Sequence, residues 1–193
     1  MTEPIPMRER ILNATAQLLV EHGTQASMSK IAARAEVAAG SLYNHFECKD
    51  VLIHAVYERL ARQANGFLVD GDTPDAPAPQ RLDRYLDNYI EFIWSDPERA
   101  ILFEYLSNVP LIPARDVIRS FQDTSDFIAG ILDDLRADGW LIDGDPLIMG
   151  GFIGGAIRNA LKWQRIHGRP LAQADRAEIK AMCHRALKRT HGG

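Results

Sequence analysis

"AAGSLYNHFECKD" (Ala38–Asp50) sets a glycine, a tyrosine, a histidine and a phenylalanine within a few residues and follows them directly with Lys49. Part of the pattern is packing. Leu42 and Phe46 stand four apart, the spacing that puts two side chains on one face of a helix, and point toward a small core with Ile31 and Val37. Ala39, Gly40, Ser41, Tyr43, Asn44 and His45 are left on the outer face. Small residues at 39–41 allow close approach to a partner, while hydroxyls, an amide and an imidazole are ligands for phosphate oxygens and base edges. Lys49 opens the next helix, where free backbone N–H groups and the helix dipole already favour an anion.

The surrounding chain supports a helical reading. Ile11, Ala14, Leu18 and Leu19 line one face of a first helix that Gly23 ends. Ser27 is placed to cap a short second helix with Met28, Ile31 and Ala32 inward. "AEVA" makes the turn, a third short helix covers Ala39 to Phe46, and a long fourth carries Leu52, Ala55, Val56 and Leu60 on its inner face. Two short helices joined by a tight turn and held on a helical scaffold form a helix-turn-helix, whose second helix enters the major groove.

At these residues the chain resembles the tetracycline-repressor (TetR) family. The resemblance covers residues 8–57 and rests on Ile31-Ala32, Val37, Gly40, Leu42-Tyr43, Phe46, Lys49 and Leu52 at their spacings. It implies a homodimeric transcriptional repressor, not an enzyme, that binds double-stranded operator DNA and is released by a small, lipophilic or aromatic effector. Ser41, Tyr43, His45 and Lys49 would contact phosphates, Ala38 to Ser41 with Asn44 would face the bases, and Ser27 is a further DNA-binding candidate. The chain departs from the family pattern at four places. Glu36 stands where the turn has glycine, Ala38 replaces a serine cap, Ala39 replaces a common lysine, and Cys48 replaces a polar cap. A left-handed Glu36 costs roughly 1 kcal/mol, and a lost cap about as much. The absent lysine predicts a flatter salt dependence than in relatives that carry it.

The rest of the 193 residues match the family only in character. The expected fold is all-α with about nine helices: a three-helix head in residues 1–50 and a helical effector-binding and dimerisation domain in residues 51–193. "VDGDTPDAPAPQ" (Val69–Gln80) reads as a loop. Helices follow with Leu82, Tyr85, Leu86, Tyr89, Ile90 and Ile93 inward, from Pro97 to about Val109, from Ala114 to Ala137, and from about Pro146 and Gln173 onward. Charge is uneven: residues 70–145 hold 17 acidic and 6 basic side chains, residues 158–189 hold 9 basic and 2 acidic, and residues 1–50 hold 5 basic and 6 acidic. The head is therefore not basic overall, and a case for DNA binding rests on where individual groups point.

Other function classes find little purchase. No nucleophile elbow, paired carboxylates or metal-ligand spacing appears among the six histidines and two cysteines, so neither an enzyme nor a metal or other cofactor is expected. The longest apolar run, Leu147–Ile157, is too short to span a bilayer roughly 30 Å thick, and with no leader pattern a cytoplasmic protein without a membrane partner is expected. Cys48, beside Lys49 at a helix start, is read as a neutral replacement for serine rather than a redox switch. An architectural helix-turn-helix module without an effector is the alternative to the ligand-responsive reading.

Apolar pockets with a few polar groups hold small molecules, and Tyr57, Tyr85, Tyr89, Phe103, Phe121 and Trp163 are the candidate effector contacts. Glu91 and Glu104, set among apolar neighbours, would suit a cationic ligand but are first read as solvated or salt-bridged. Gly150, Gly151, Gly154 and Gly155 crowd one face of a helix, each costing about 1 kcal/mol relative to alanine, which suggests close approach by another helix. The resemblance implies a four-helix bundle between subunits, so this face, with Phe121 and Ile128 from the helix that begins at Ala114, is the expected dimer interface.

Overall fold

Apolar residues recurring every three to four positions wind the chain into ten α-helices among the described residues, which in this computed structural model are 4–108 and 112–189. No strand forms among them, only an isolated bridge between Leu141 and Lys188. None of these helices is long and apolar enough to cross a membrane.

Packing divides the chain into two compact units, Met1–Arg62 with Pro97–Ser120, and Gln63–Asp96 with Phe121–Gly193. Residues 1–50, the expected head, lie within the first unit, and residues 51–193 are shared between the two.

In the first unit, α1 (Met7–His22) buries Ile11, Leu12, Ala14, Leu18 and Leu19. The buried Thr15 hydroxyl donates to the Ile11 carbonyl at 2.7 Å, which removes the penalty of an unpaired polar group. Gly23, at φ +56°, ends α1 and leads through a 3-10 turn into α2 (Met28–Arg34). The Ser27 hydroxyl caps α2 by accepting the Lys30 N–H at 3.3 Å. At the other end, the N–H groups of Glu36 and Val37 reach the Ala33 and Ala32 carbonyls at 3.2 and 3.0 Å. This pairing closes a helix through a left-handed residue, and that residue is Glu36, at φ +54°. Gly139, at φ +70°, serves the same motif elsewhere at no steric cost. After the turn come α3 (Ala39–His45) and α4 (Lys49–Val69), the latter passing from the first unit into the second. Two later helices, α6 (Pro97–Asn108) and α7 (Ala114–Ser120), complete the first unit. Val109 and the start of the expected "VPLIP" break lie outside the described residues.

The single helix expected over Ala114–Ala137 is two. Phe121 leaves the helical region at φ −108°, ψ 11°, and α8 (Gln122–Ala137) starts after it. The reason lies in packing. The residues of α7 bury nothing fully, whereas α8 buries Thr124, Ile128, Ile131, Leu132 and Leu135 in the second unit. The chain passes from the first unit to the second at Phe121, and its helix is interrupted there.

The second unit joins α5 (Ala78–Trp94), α8, α9 (Pro146–Ile166) and α10 (Gln173–Leu187). Leu82, Tyr85, Leu86, Tyr89, Ile90 and Ile93 are all buried on α5, as their spacing predicts. The opposite edge of α5 carries Asp83, Asp87 and Glu91 at i, i+4 intervals against Arg176, Lys180 and His184 of α10. Lys180 Nζ donates to both aspartates at 2.8 Å, Arg176 to Glu91 at 2.6 Å, and His184 Nε2 lies 3.2 Å from Asp83.

Burial pulls Asp83 up, but hydrogen bonds from Lys180 and His184 outweigh it and hold the carboxyl below its ordinary value. Burial pulls Lys180 down, and its bonds to Asp83 and Asp87 outweigh it and raise it above its ordinary value. A depressed carboxylate stabilises above its unfolded pKa and loses that contribution as pH falls through the folded value; a raised lysine loses its contribution as pH climbs through its own. Lys180→Met is therefore expected to cost about 1 kcal/mol at neutral pH, because the aspartates are partly exposed. Denaturant unfolding of the two proteins should show the difference vanishing in acid and again in strong alkali.

Candidate nucleic-acid interface

The seven residues of α3 are too few to be stable alone. The helix is held by Leu42 and Phe46, which are 0 % and 3 % exposed. Ala38 starts it in an extended conformation with no side-chain cap. With those two anchors inward, Ala39, Gly40, Tyr43, Asn44 and His45 are exposed and Ser41 is half-buried. Tyr43 is 52 % exposed.

Gly40 is the informative member of this face. A methyl group added there would meet nothing within 4 Å. Glycine in a helix interior costs about 1 kcal/mol relative to alanine and less in the first turn, where Gly40 stands, and no neighbour in this chain uses the space. The gap lies on the outside, beside Tyr43 and Asn44.

Other expected contacts are already engaged. Lys49 is half-buried, and its Nζ donates to the Thr24 carbonyl at 2.8 Å, so the ammonium braces the turn after α1. The Thr24 N–H donates to the Tyr105 hydroxyl of α6 at 3.1 Å. Ser27 Oγ, besides capping α2, lies 2.9 Å from the Ser29 hydroxyl. Arg8 stands 5.5 Å over the Phe46 ring, a cation–π contact that adds a positive charge near the end of α3. Arg10 donates to the carbonyls of Ala35 and Glu36, both at 2.6 Å. The contacts of Arg8, Arg10 and Tyr105 join residues 25 or more apart, and local spacing carries no signal for them.

The candidate effector residues fall in both units. Tyr57 and Phe103 are buried in the first, and burial pushes the Tyr57 phenol up to about 12. Tyr85 and Tyr89 are buried in the second, edge to face at 6.0 Å, and Phe127 lies 6.2 Å from Tyr85. The Tyr89 hydroxyl accepts from Arg158 at 2.6 Å. Phe121 is half-buried at the α7–α8 break, and Trp163 is 53 % exposed, so its indole lines no interior of this chain. Glu91 is salt-bridged to Arg176, as first read, and Glu104 is half-buried.

The glycine face of α9 divides in two. A methyl at Gly154 would lie 2.9 Å from the Tyr89 hydroxyl, so that glycine serves packing within the chain, whereas one at Gly150 would make ordinary contact with Ile128 at 3.7 Å. Ile128 is itself buried in its own unit and offers no surface. Gly151 and Gly155 meet nothing. Gly155 lines a groove of about 560 Å³ between α9 and α10 with Phe152, Met182 and Cys183. Cys48 is exposed, Cys183 is buried with its thiol raised by that burial, and no metal-binding group forms among the described residues.

Residues 11–56 match the TetR_N pattern, described as bacterial regulatory proteins of the tetR family. The chain is 30 % identical over 120 residues to the HTH-type transcriptional repressor DhaR of Mycobacterium sp. (strain GP1), a match covering 60 % of this chain and 57 % of that one. It is 34 % identical over 92 residues to the HTH-type transcriptional repressor KstR of Rhodococcus jostii (strain RHA1), covering 47 % and 42 %. The chain thus spans about half the length of these curated relatives. Among solved structures, a tetR-family regulator from Shewanella sp. PV-4 superimposes with a TM-score of 0.87 at 20 % identity, covering 96 % of this chain and 100 % of that one. A SmeT–triclosan complex does so with a TM-score of 0.71 at 22 % identity, covering 96 % and 93 %. At such identities the likeness is one of fold.

Proposed function

We propose that this chain, which belongs to the tetR family of bacterial regulatory proteins, represses transcription by holding an operator as a homodimer and releases it when a small lipophilic or aromatic molecule binds. The observation that carries the reading is the outer face of α3, where an uncompensated Gly40 lies beside exposed Tyr43, Asn44 and His45. Two such helices would enter successive major grooves with half-site centres roughly 34–36 Å apart. Residues 1–50 form the DNA-binding part and residues 51–193 the part that binds effector and a second subunit. For dimerisation, support comes from exposed Phe152 and Met182 lining the α9–α10 groove, from exposed Trp163 on α9, and from Gly151 and Gly155, which leave room for a facing helix. The names of DhaR and KstR as repressors agree with the direction of control, and the triclosan bound to SmeT agrees with an apolar effector.

The test is fluorescence anisotropy of the purified chain on its own upstream DNA and on a scrambled duplex, over a range of salt. Selective binding by a dimer is expected, and equal binding to both duplexes would sink the reading. Tyr43→Ala should weaken binding to every duplex about equally, because a phosphate contact carries no sequence information. Asn44→Ala should relax the preference at one position of the site by about 1–3 kcal/mol. If Tyr43→Ala binds as tightly as the parent, that contact is misassigned.

A further inference from the structure

We propose that Arg10 is a positioning residue for the recognition helix, clamping the turn between α2 and α3 in a conformation that Glu36 would not hold by itself. The inference rests on the operator-binding reading. Its starting point is backbone geometry. Glu36 is the one non-glycine residue with positive φ among the described residues, and it sits between the two helices of the motif. The N–H groups of Glu36 and Val37 close α2 onto Ala33 and Ala32, and the carbonyls of Ala35 and Glu36, past that closure, have no helical partners. The Arg10 guanidinium fills that gap, with Nη2 2.6 Å from both oxygens. The same nitrogen lies 3.9 Å from the Glu36 carboxylate.

Three physical effects converge on this contact. A cation at a helix C-terminus faces the negative end of the dipole. Hydrogen bonds from a charged donor are stronger than neutral ones. Arg10 belongs to α1, whose inner face is anchored by Ile11 and Leu12 at 0 % exposure, so the donor is presented from a fixed helix. Two residues beyond the clamped peptide, Ala38 begins α3 without a side-chain cap. The path of 36–38 therefore decides where Gly40, Tyr43 and Asn44 are presented. A glycine at position 36 would adopt the same φ freely and make the clamp dispensable.

The proposal is tested with a double-mutant cycle on the full chain: parent, Arg10→Met, Glu36→Gly, and the two together. Each protein is measured by anisotropy on the upstream duplex and by amide hydrogen exchange at Glu36 and Val37, which needs no DNA. Arg10→Met is expected to weaken operator binding about tenfold and to speed exchange at both amides by a similar factor. In the Glu36→Gly background the same change should cost less than threefold in either readout. Equal losses of affinity in both backgrounds, with exchange unaltered, would overturn the clamp and make Arg10 a direct phosphate ligand. No loss in either readout would also overturn it. If the parent shows no operator selectivity, the functional reading fails, and the exchange cycle still decides the clamp. Should Arg10→Met not fold, the clamp requires that the double variant does; failure of both sinks it.

Discussion

Gly40→Leu is expected to leave the protein folded, slightly more stable, and unable to hold its operator. Leucine is a better helix former than glycine, by at most about 1 kcal/mol, and nothing within 4 Å of position 40 obstructs its first carbon. The thermal midpoint should therefore rise or stay level. On the proposed reading the same side chain would stand between α3 and the groove floor and lift Tyr43 and Asn44 off their contacts. A loss of 100-fold or more in operator affinity is expected, equivalent to about 3 kcal/mol. Thermal denaturation and anisotropy on one preparation check both halves. Retained affinity would remove α3 as the reading element, and a large fall in stability would mean the space at Gly40 is used within the chain.

Leu42→Ala should separate the two quantities the other way. Leu42 is completely buried and is one of two anchors of a seven-residue helix. Leucine-to-alanine changes in a core cost about 2–5 kcal/mol, a large share of a typical domain's total stability. The first unit should melt earlier, and operator binding should disappear because α3 no longer has a fixed place. Restoring volume with Leu42→Met should recover most of both, since volume-conserving apolar changes cost less than about 1.5 kcal/mol. A Leu42→Ala protein with parental stability would contradict the packing described for the head.

The head was legible because its determinants are local. Helix faces at Leu42 and Phe46, the Ser27 cap and the stop at Gly23 each depend on residues within a few positions of one another, while the left-handed turn at Glu36 is implied by the family resemblance alone. What lay beyond the sequence was the far partner. The rule that puts a free lysine at a helix start points Lys49 toward a phosphate, and it has no means of placing the Thr24 carbonyl beside it. The same limit hides the guanidinium of Arg10 from the turn it reaches. Spacing groups Gly150 with Gly154 on one face of α9, yet spacing is blind to Tyr89, which claims Gly154 alone for intrachain packing. The helix break at Phe121 escaped for a related reason. Periodicity runs on through a point where the chain changes the unit it packs against.

The peptide group of Thr24 has an unequal inheritance. Its N–H belongs to the Tyr105 phenol and its carbonyl to the Lys49 ammonium, while neither bond involves the threonine side chain. The identity of residue 24 is thus nearly silent, provided that it keeps its N–H, and proline is the replacement that the corner refuses. The specification of this corner is stored at positions 49 and 105. A family tree built on this chain would find drift tolerated at the corner itself and restraint at two distant sites that never touch it through side chain 24.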